Sequence, residues 1–266
     1  MMDWTLYWQA LAFVTFGGAL AWLYSTIRKD VSVVDSLWSL FFLIMAAVYA
    51  LASEPLSGRG LLVFVLVAVW AIRLSAYITI RNHGEPEDYR YQTIRANNDP
   101  GFWYKSLFIV FLLQSTLAWI ISLPLLVAVT SKSDLGVLDA IAFAVFALGL
   151  LFEAGGDYQL AEFKRDPGNR GKVLDSGLWR YTRHPNYFGD FCIWWSFYLF
   201  ALAAGAWWSI LAPLLMSVLL LKVSGVAMLE KTIGARRPKY AEYINQTNAF
   251  IPGPRRLGNS TPEVGK

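Results

Sequence analysis

Leu61-Leu62-Val63-Phe64-Val65-Leu66-Val67-Ala68-Val69-Trp70-Ala71-Ile72-Arg73-Leu74-Ser75-Ala76-Tyr77-Ile78-Thr79-Ile80 is an almost unbroken apolar run. At 1.5 Å per helical residue such a run covers the hydrocarbon core of a bilayer, about 30 Å thick. It therefore reads as a membrane span. On either side six more runs have the same character: Trp4–Ile27, Val33–Ala52, Trp103–Val129, Val137–Ala161, Tyr187–Ala204 and Trp207–Leu229. Short polar turns such as Ser53–Gly58 and Ser131–Asp134 separate them. With 56% hydrophobic and 16% aromatic residues, the chain is too apolar for an ordinary soluble domain. The expected fold is all-α, a polytopic integral membrane protein with seven transmembrane helices.

The basic residues give a direction. Arg28 and Lys29 follow the first run; Arg81, Arg90, Arg95 and Lys105 follow the third. The fifth is followed by Lys164, Arg165, Arg170, Lys172, Arg180 and Arg183, and the seventh by Lys231, Arg236, Arg237, Lys239, Arg255 and Arg256. The opposite ends show only Arg59 and Lys132. The positive-inside rule then puts the N-terminus outside and the C-terminus in the cytoplasm. The first run lacks a basic segment before it, so it reads as an uncleaved span rather than a secretory signal. Residues 1–257 are expected to form one seven-helix membrane domain, whose C-terminal half is 150–257. Residues 258–266 form a disordered tail.

Composition also excludes. The charge of +4 and the pI near 9.1 are accounted for by an anionic inner leaflet, so no nucleic-acid partner is expected. A single cysteine, Cys192, rules out an internal disulfide, and two histidines are too few for a typical zinc site without help from carboxylates. No metal is expected, and nothing suggests an obligate protein partner.

Polar side chains inside membrane runs are costly and mark sites or pairs. Asp35 begins the second run. Arg73 shares a helix stripe with Trp70 and Tyr77, and Gln114 lies in the fourth run. Glu153, Asp157 and Tyr158 end the fifth; Lys222 and Glu230 belong to the seventh. Arg73 suits a buried pair with an acid such as Asp35, or a ligand contact. Glu153 and Asp157 repel across one helix face unless Lys164, Arg165, Arg170 or Lys172 bridges them. Just before the sixth run stands Gly177-Leu178-Trp179-Arg180-Tyr181-Thr182-Arg183-His184-Pro185-Asn186-Tyr187-Phe188-Gly189-Asp190. Cations suit phosphates, aromatic faces such as Tyr181, Tyr187 and Tyr240 suit a base, and Asp or Asn suits ribose hydroxyls. No dinucleotide-binding glycine fingerprint, phosphate loop or nucleophile elbow appears.

The segment Arg183-His184-Pro185-Asn186-Tyr187-Phe188-Gly189-Asp190 resembles the Arg-His-x-Asn-Tyr-x-Gly-Asp signature of integral membrane sterol reductases. From about Glu153 to Pro252 the chain is similar to the bacterial branch of the steroid 5α-reductase family. That resemblance implies seven spans and an NADPH site in the C-terminal half. Asp157 and Tyr158 match a family Asp-Tyr pair, and Asn186 and Asp190 the nicotinamide side. Lys164, Lys172 and Lys222 stand where the family has arginines, replacing bidentate phosphate recognition with point charges. Arg183 and His184 agree with the sterol-reductase version. Glu230, Arg237 and Tyr240 complete the expected cofactor set with Tyr181 and Tyr187. The family's acid on the second span corresponds to Asp35, and Tyr77 is the tyrosine on the same face as its partner's position.

The function implied is NADPH-dependent reduction of a conjugated C=C bond in an apolar ketone, such as a 3-oxo-Δ4-steroid. The steroid- or sterol-like substrate would enter from the lipid of a bacterial inner membrane. Two other classes stay open. An S-adenosylmethionine-dependent methyltransferase acting on a lipid-like acceptor shares the shorter Arg-His-Pro-x-Tyr-x-Gly pattern and the Glu230…Tyr240…Tyr243…Pro252 pattern. A non-enzymatic transporter or lipid-binding scaffold would line a path with Arg73 and Lys222.

Overall fold

A computed structural model describes residues 3–223, 225–226, 230 and 240–256. Among them the regular structure is helical, with no strand. Helices α1 (Trp4–Arg28), α2 (Val33–Leu51), α3 (Gly58–Asn82), α5 (Phe102–Ile121) and α7 (Val137–Arg165) are long and apolar enough to cross a membrane. Between them lie α4 (Tyr89–Asn98) and α6 (Leu123–Thr130), and α8 (Pro185–Ala203), α9 (Trp207–Val223) and α10 (Tyr240–Gln246) follow. Five of the seven expected runs thus have spanning length and composition. The remaining two are α8, diluted by Asn186, Asp190 and its Trp and Tyr side chains, and the shorter α9.

One expected run is divided and one helix is added. The fourth run is not one helix but two, α5 and α6, meeting at Ser122. Pro124 sits in the first turn of α6, where its missing N–H costs nothing. Between α3 and α5 the basic stretch contains α4, begun by Asp88, whose carboxylate accepts from Arg90 N at 2.9 Å.

The chain forms two compact units. One holds residues up to Ala142 with Phe197–Pro213; the other holds Phe143–Ser196 with residues from Leu214 onward. In the N-terminal unit α2 packs on α3 and α1. Ser39 Oγ donates to Ala71 O at 2.9 Å across the α2–α3 contact, beside fully buried Phe42 and Trp70. Helices α1 and α5 run antiparallel, held near both ends by aromatic side chains. Tyr7 and Trp119 stack at 4.3 Å and exchange side-chain-to-carbonyl bonds of 3.0 and 2.8 Å. Toward the other end Trp22 Nε1 donates to Trp103 O at 2.7 Å. In lipid such polar exchanges and close packing do the work that apolar burial does in water.

In the C-terminal unit α7 and α8 touch backbone to backbone. A Cβ on Gly189 would stand 2.3 Å from Glu153 N and 2.4 Å from Gly149 O, and one on Gly149 would stand 2.7 Å from Gly189 O. Glycine at both positions is what permits the contact. One turn or more along, Gly156 faces Pro185, where a Cβ would meet the proline ring at 3.0 Å.

Candidate functional site

The glycine contact sets the chemistry above it. Drawing α7 and α8 together puts Asp157 within reach of the first turn of α8. Asn186 Nδ2 donates to Asp157 Oδ1 at 3.2 Å, and Asn186 Oδ1 accepts from Tyr187 N at 3.1 Å, so the amide is oriented from both sides. Asp157 and Glu153 are each only 3% exposed. The partner found for Asp157 is thus an amide on α8, a contact the sequence did not announce. Asp190 follows one turn after Asn186 on α8 and is half-buried.

The segment before α8 is stapled to the C-terminal residues. Arg183 donates through Nε and Nη2 to Glu230 Oε1 at 2.8 and 2.7 Å, and through Nη1 to Ile244 O and Thr247 O at 3.1 and 2.8 Å. Its backbone N donates to Asn248 O at 2.9 Å. Thr182 Oγ1 donates to Phe250 O at 2.7 Å, and Tyr243 OH to Trp179 O at 2.5 Å. His184 Nε2 lies 3.1 Å from Glu230 Oε1, and its ring is 5.9 Å from that of Tyr187. His184, the nearby Arg183 charge and their hydrogen bonds hold the Glu230 carboxyl below its ordinary range despite its partial burial. Burial raises the Tyr243 phenol, and the neighbouring Tyr240 adds to the shift. Arg183 and His184, expected at a cofactor, are bonded to Glu230, and Arg183 also to the carbonyls of Ile244, Thr247 and Asn248; they position the segment that carries Asn186.

Five of the other expected residues are exposed. Tyr158 is 66% and Tyr181 48% exposed, and Lys164, Lys172 and Lys222 are exposed. Tyr240 is buried, its ring 5.6 Å from that of Tyr243. Arg237 lies outside the described residues. Two further side chains shape this region. Trp179 Nε1 donates to Gly156 O at 3.1 Å, and Gln159 Oε1 accepts from Leu178 N at 2.9 Å. Exposed lysines and tyrosine rings in the same unit as a part-buried acid–amide pair are group types that suit phosphates, a base and a ribose. Among the described residues no group of three His, Cys, Asp or Glu side chains could hold a metal ion.

In the N-terminal unit Asp35 is the centre of a second polar cluster. Arg90 Nη2 donates to Asp35 Oδ2 and Tyr91 OH to Asp35 Oδ1, both at 2.5 Å; Gln114 Nε2 donates to Tyr91 OH at 3.3 Å. Arg90 is also shared with Asp88, at 2.9 Å. Burial, and next the Asp35 charge it donates to, raise the Tyr91 phenol well above its ordinary value. The tyrosine on Asp35 is therefore Tyr91 of α4. Tyr77 is half-buried, with the Arg81 guanidinium 5.8 Å from its ring centre.

Comparison with known proteins adds a family. Residues 21–247 match the family described as "Protein of unknown function (DUF1295)". The chain belongs to this family. It is also 28% identical over 268 residues to an uncharacterized protein of Schizosaccharomyces pombe, a match covering 88% of this chain and 76% of that one. Over 55 residues it is 42% identical to a probable O-methyltransferase of Ustilaginoidea virens, covering 21% and 19% of the two chains. No solved structure matches this family member.

Proposed function

We propose that this member of the family is a multi-pass membrane reductase, with α8 and α9 completing seven spans, an outer N-terminus and a cytoplasmic C-terminus, in a bacterial inner membrane. It reduces the conjugated C=C bond of an apolar ketone, with a 3-oxo-Δ4-steroid as the substrate class. The observation that carries this reading is the Asp157–Asn186 pair, seated on a glycine-to-backbone helix contact in the segment that resembles the sterol-reductase signature.

NADPH fits the donor set and supplies, when bound, a hydride for the β-carbon of the enone. Lys164 and Lys172 attract its phosphates as exposed point charges, Tyr158 and Tyr181 offer ring faces, and Asn186, Asp157 and Asp190 provide hydrogen bonds to its hydroxyl and amide groups. Arg183, His184 and Glu230 hold the segment bearing Asn186 in place. Proton handling falls to Asp35 and Tyr91: the phenol keeps its proton at neutral pH, and a donor is what an enone oxygen requires as charge develops on it. Tyr77 keeps the weaker claim to that role.

The test is purified protein with NADPH and a panel of enones, including 3-oxo-Δ4-steroids, followed by NADPH absorbance and product mass. Product two mass units heavier is expected; no NADPH oxidation across the panel overturns the reading. The short match to a probable O-methyltransferase favours one rival, methylation of a lipid-like acceptor with S-adenosylmethionine. Thermal unfolding separates them, because a ligand that binds only the native state raises the melting temperature. Stabilisation by S-adenosylmethionine and not by NADPH transfers the case to the rival.

A further inference from the structure

A cavity of about 730 Å³ opens in the N-terminal unit where α1 begins and α6 ends, opposite the Arg28 and Arg81 ends of α1 and α3. Its walls include Asp3, Trp4, Thr130, Ser131, Lys132 and Trp208. This volume is within the usual range for small-molecule sites.

Hydrogen-bonding capacity is left over on three of these walls. Asp3 Oδ1 accepts from Leu6 N at 3.0 Å, while Oδ2 has no partner among the described residues. Lys132 Nζ donates to Ser53 O and Pro55 O at 2.6 and 2.7 Å; an ammonium has three hydrogens, so one remains. The Ser131 and Ser133 hydroxyls both accept from Arg59 and bond to each other at 2.9 Å, which leaves one hydroxyl hydrogen unused. The wall is preformed. Arg59, 2% exposed, is bidentate to Asp139 at 2.7 and 2.8 Å and donates to Asp134 O at 2.8 Å, fixing the turn that carries the serines and Lys132.

One open carboxylate oxygen, one ammonium hydrogen and one hydroxyl hydrogen around a cavity with two indoles complement a phosphate–ammonium zwitterion. The ammonium pairs with Asp3 and the indole faces, and the phosphate with Lys132 and a serine. Trp4, Trp8 and Trp207, at 59%, 57% and 70% exposure, ring this end of the unit, the depth at which indoles meet lipid headgroups. A choline headgroup has no N–H for Asp3, and a glycerol headgroup has no cation for it. We propose that the cavity binds the headgroup of phosphatidylethanolamine from the adjoining leaflet.

The test is native mass spectrometry of the full chain in detergent with equal amounts of phosphatidylethanolamine, phosphatidylcholine and phosphatidylglycerol. Preferential retention of phosphatidylethanolamine is expected, roughly tenfold over the others, the scale of one charge-assisted bond. Asp3→Asn keeps a good helix cap and should abolish the preference; Trp208→Ala should lower phosphatidylethanolamine retention. Equal retention of all three lipids, or an unchanged preference in Asp3→Asn, means annular lipid only and overturns the proposal. So does thermal stabilisation by soluble phosphoethanolamine equal to that by the lipid. No outcome depends on catalytic activity, so failure here is distinct from failure of the reductase reading.

Discussion

Arg183 shows how a charge can be essential to a site without touching a ligand. Four of its donor contacts, two to Glu230 and two to backbone carbonyls, use nearly all of the five hydrogens a guanidinium has. Glu230→Gln removes the countercharge and should lower stability by about 1–3 kcal/mol, read as a fall in melting temperature in detergent. The pH dependence has a definite sign. The native carboxyl is held below its ordinary value of 4.5, so its contribution is present above that pH and disappears as pH falls through the lower native value. The wild type should lose melting temperature across that window, and Glu230→Gln should lose less. Asn186→Leu removes the amide that donates to buried Asp157, so it should lower stability by about 1–3 kcal/mol and, on the reductase proposal, weaken NADPH binding at least tenfold, measured by fluorescence titration. Asp157 and Asn186 were readable beforehand because costly polar groups at the mouths of apolar runs stand out. Tyr91 was not, since it lies in a polar linker where one more tyrosine carries no signal.

The α7–α8 contact is the element on which the candidate site depends. Gly189→Ala would place a methyl carbon 2.3 Å from a backbone nitrogen, forcing the helices apart. A loss of about 1–3 kcal/mol or more is expected, with NADPH affinity falling alongside it. Gly17→Ala, in the interior of α1 with its nearest neighbour 3.9 Å away, should be neutral or stabilising by up to about 1 kcal/mol. If both variants melt alike, the contact is not as close as described. Helix α4 depends on Tyr91 and Arg90 for its hold on α2. Tyr91→Phe should speed amide exchange across residues 89–98 without disturbing α2. Hydropathy alone located the long helices, because twenty apolar residues have few other fates. It missed the α5–α6 break, where one serine and one proline act within an apolar stretch, and it missed α4, which is too polar for such a search.

Across the molecule, the aromatic pairs joining α1 and α5 also measure thickness. Tyr7 and Trp22 are fifteen positions apart, as Trp103 and Trp119 are sixteen, or about 22–24 Å at 1.5 Å per residue. That suits side chains bracketing a hydrocarbon core. The orientation can be tested through the single cysteine, Cys192, which is buried. In a Cys192→Ala background, Leu135→Cys should react with an impermeant maleimide on intact cells and His83→Cys only after permeabilisation. The reverse pattern would invert the protein. The alternation of basic ends carried that expectation from sequence, whereas which side chains meet within each unit depended on contacts between residues far apart in the chain. One such contact bears on biosynthesis. Arg183 precedes its carbonyl partners by 61 and 64 residues, so during translation a cation at the mouth of α8 awaits acceptors not yet made. Until they arrive, a chaperone or the insertion machinery must tolerate that charge, and a nascent chain stalled in between should be an early target for quality-control proteolysis.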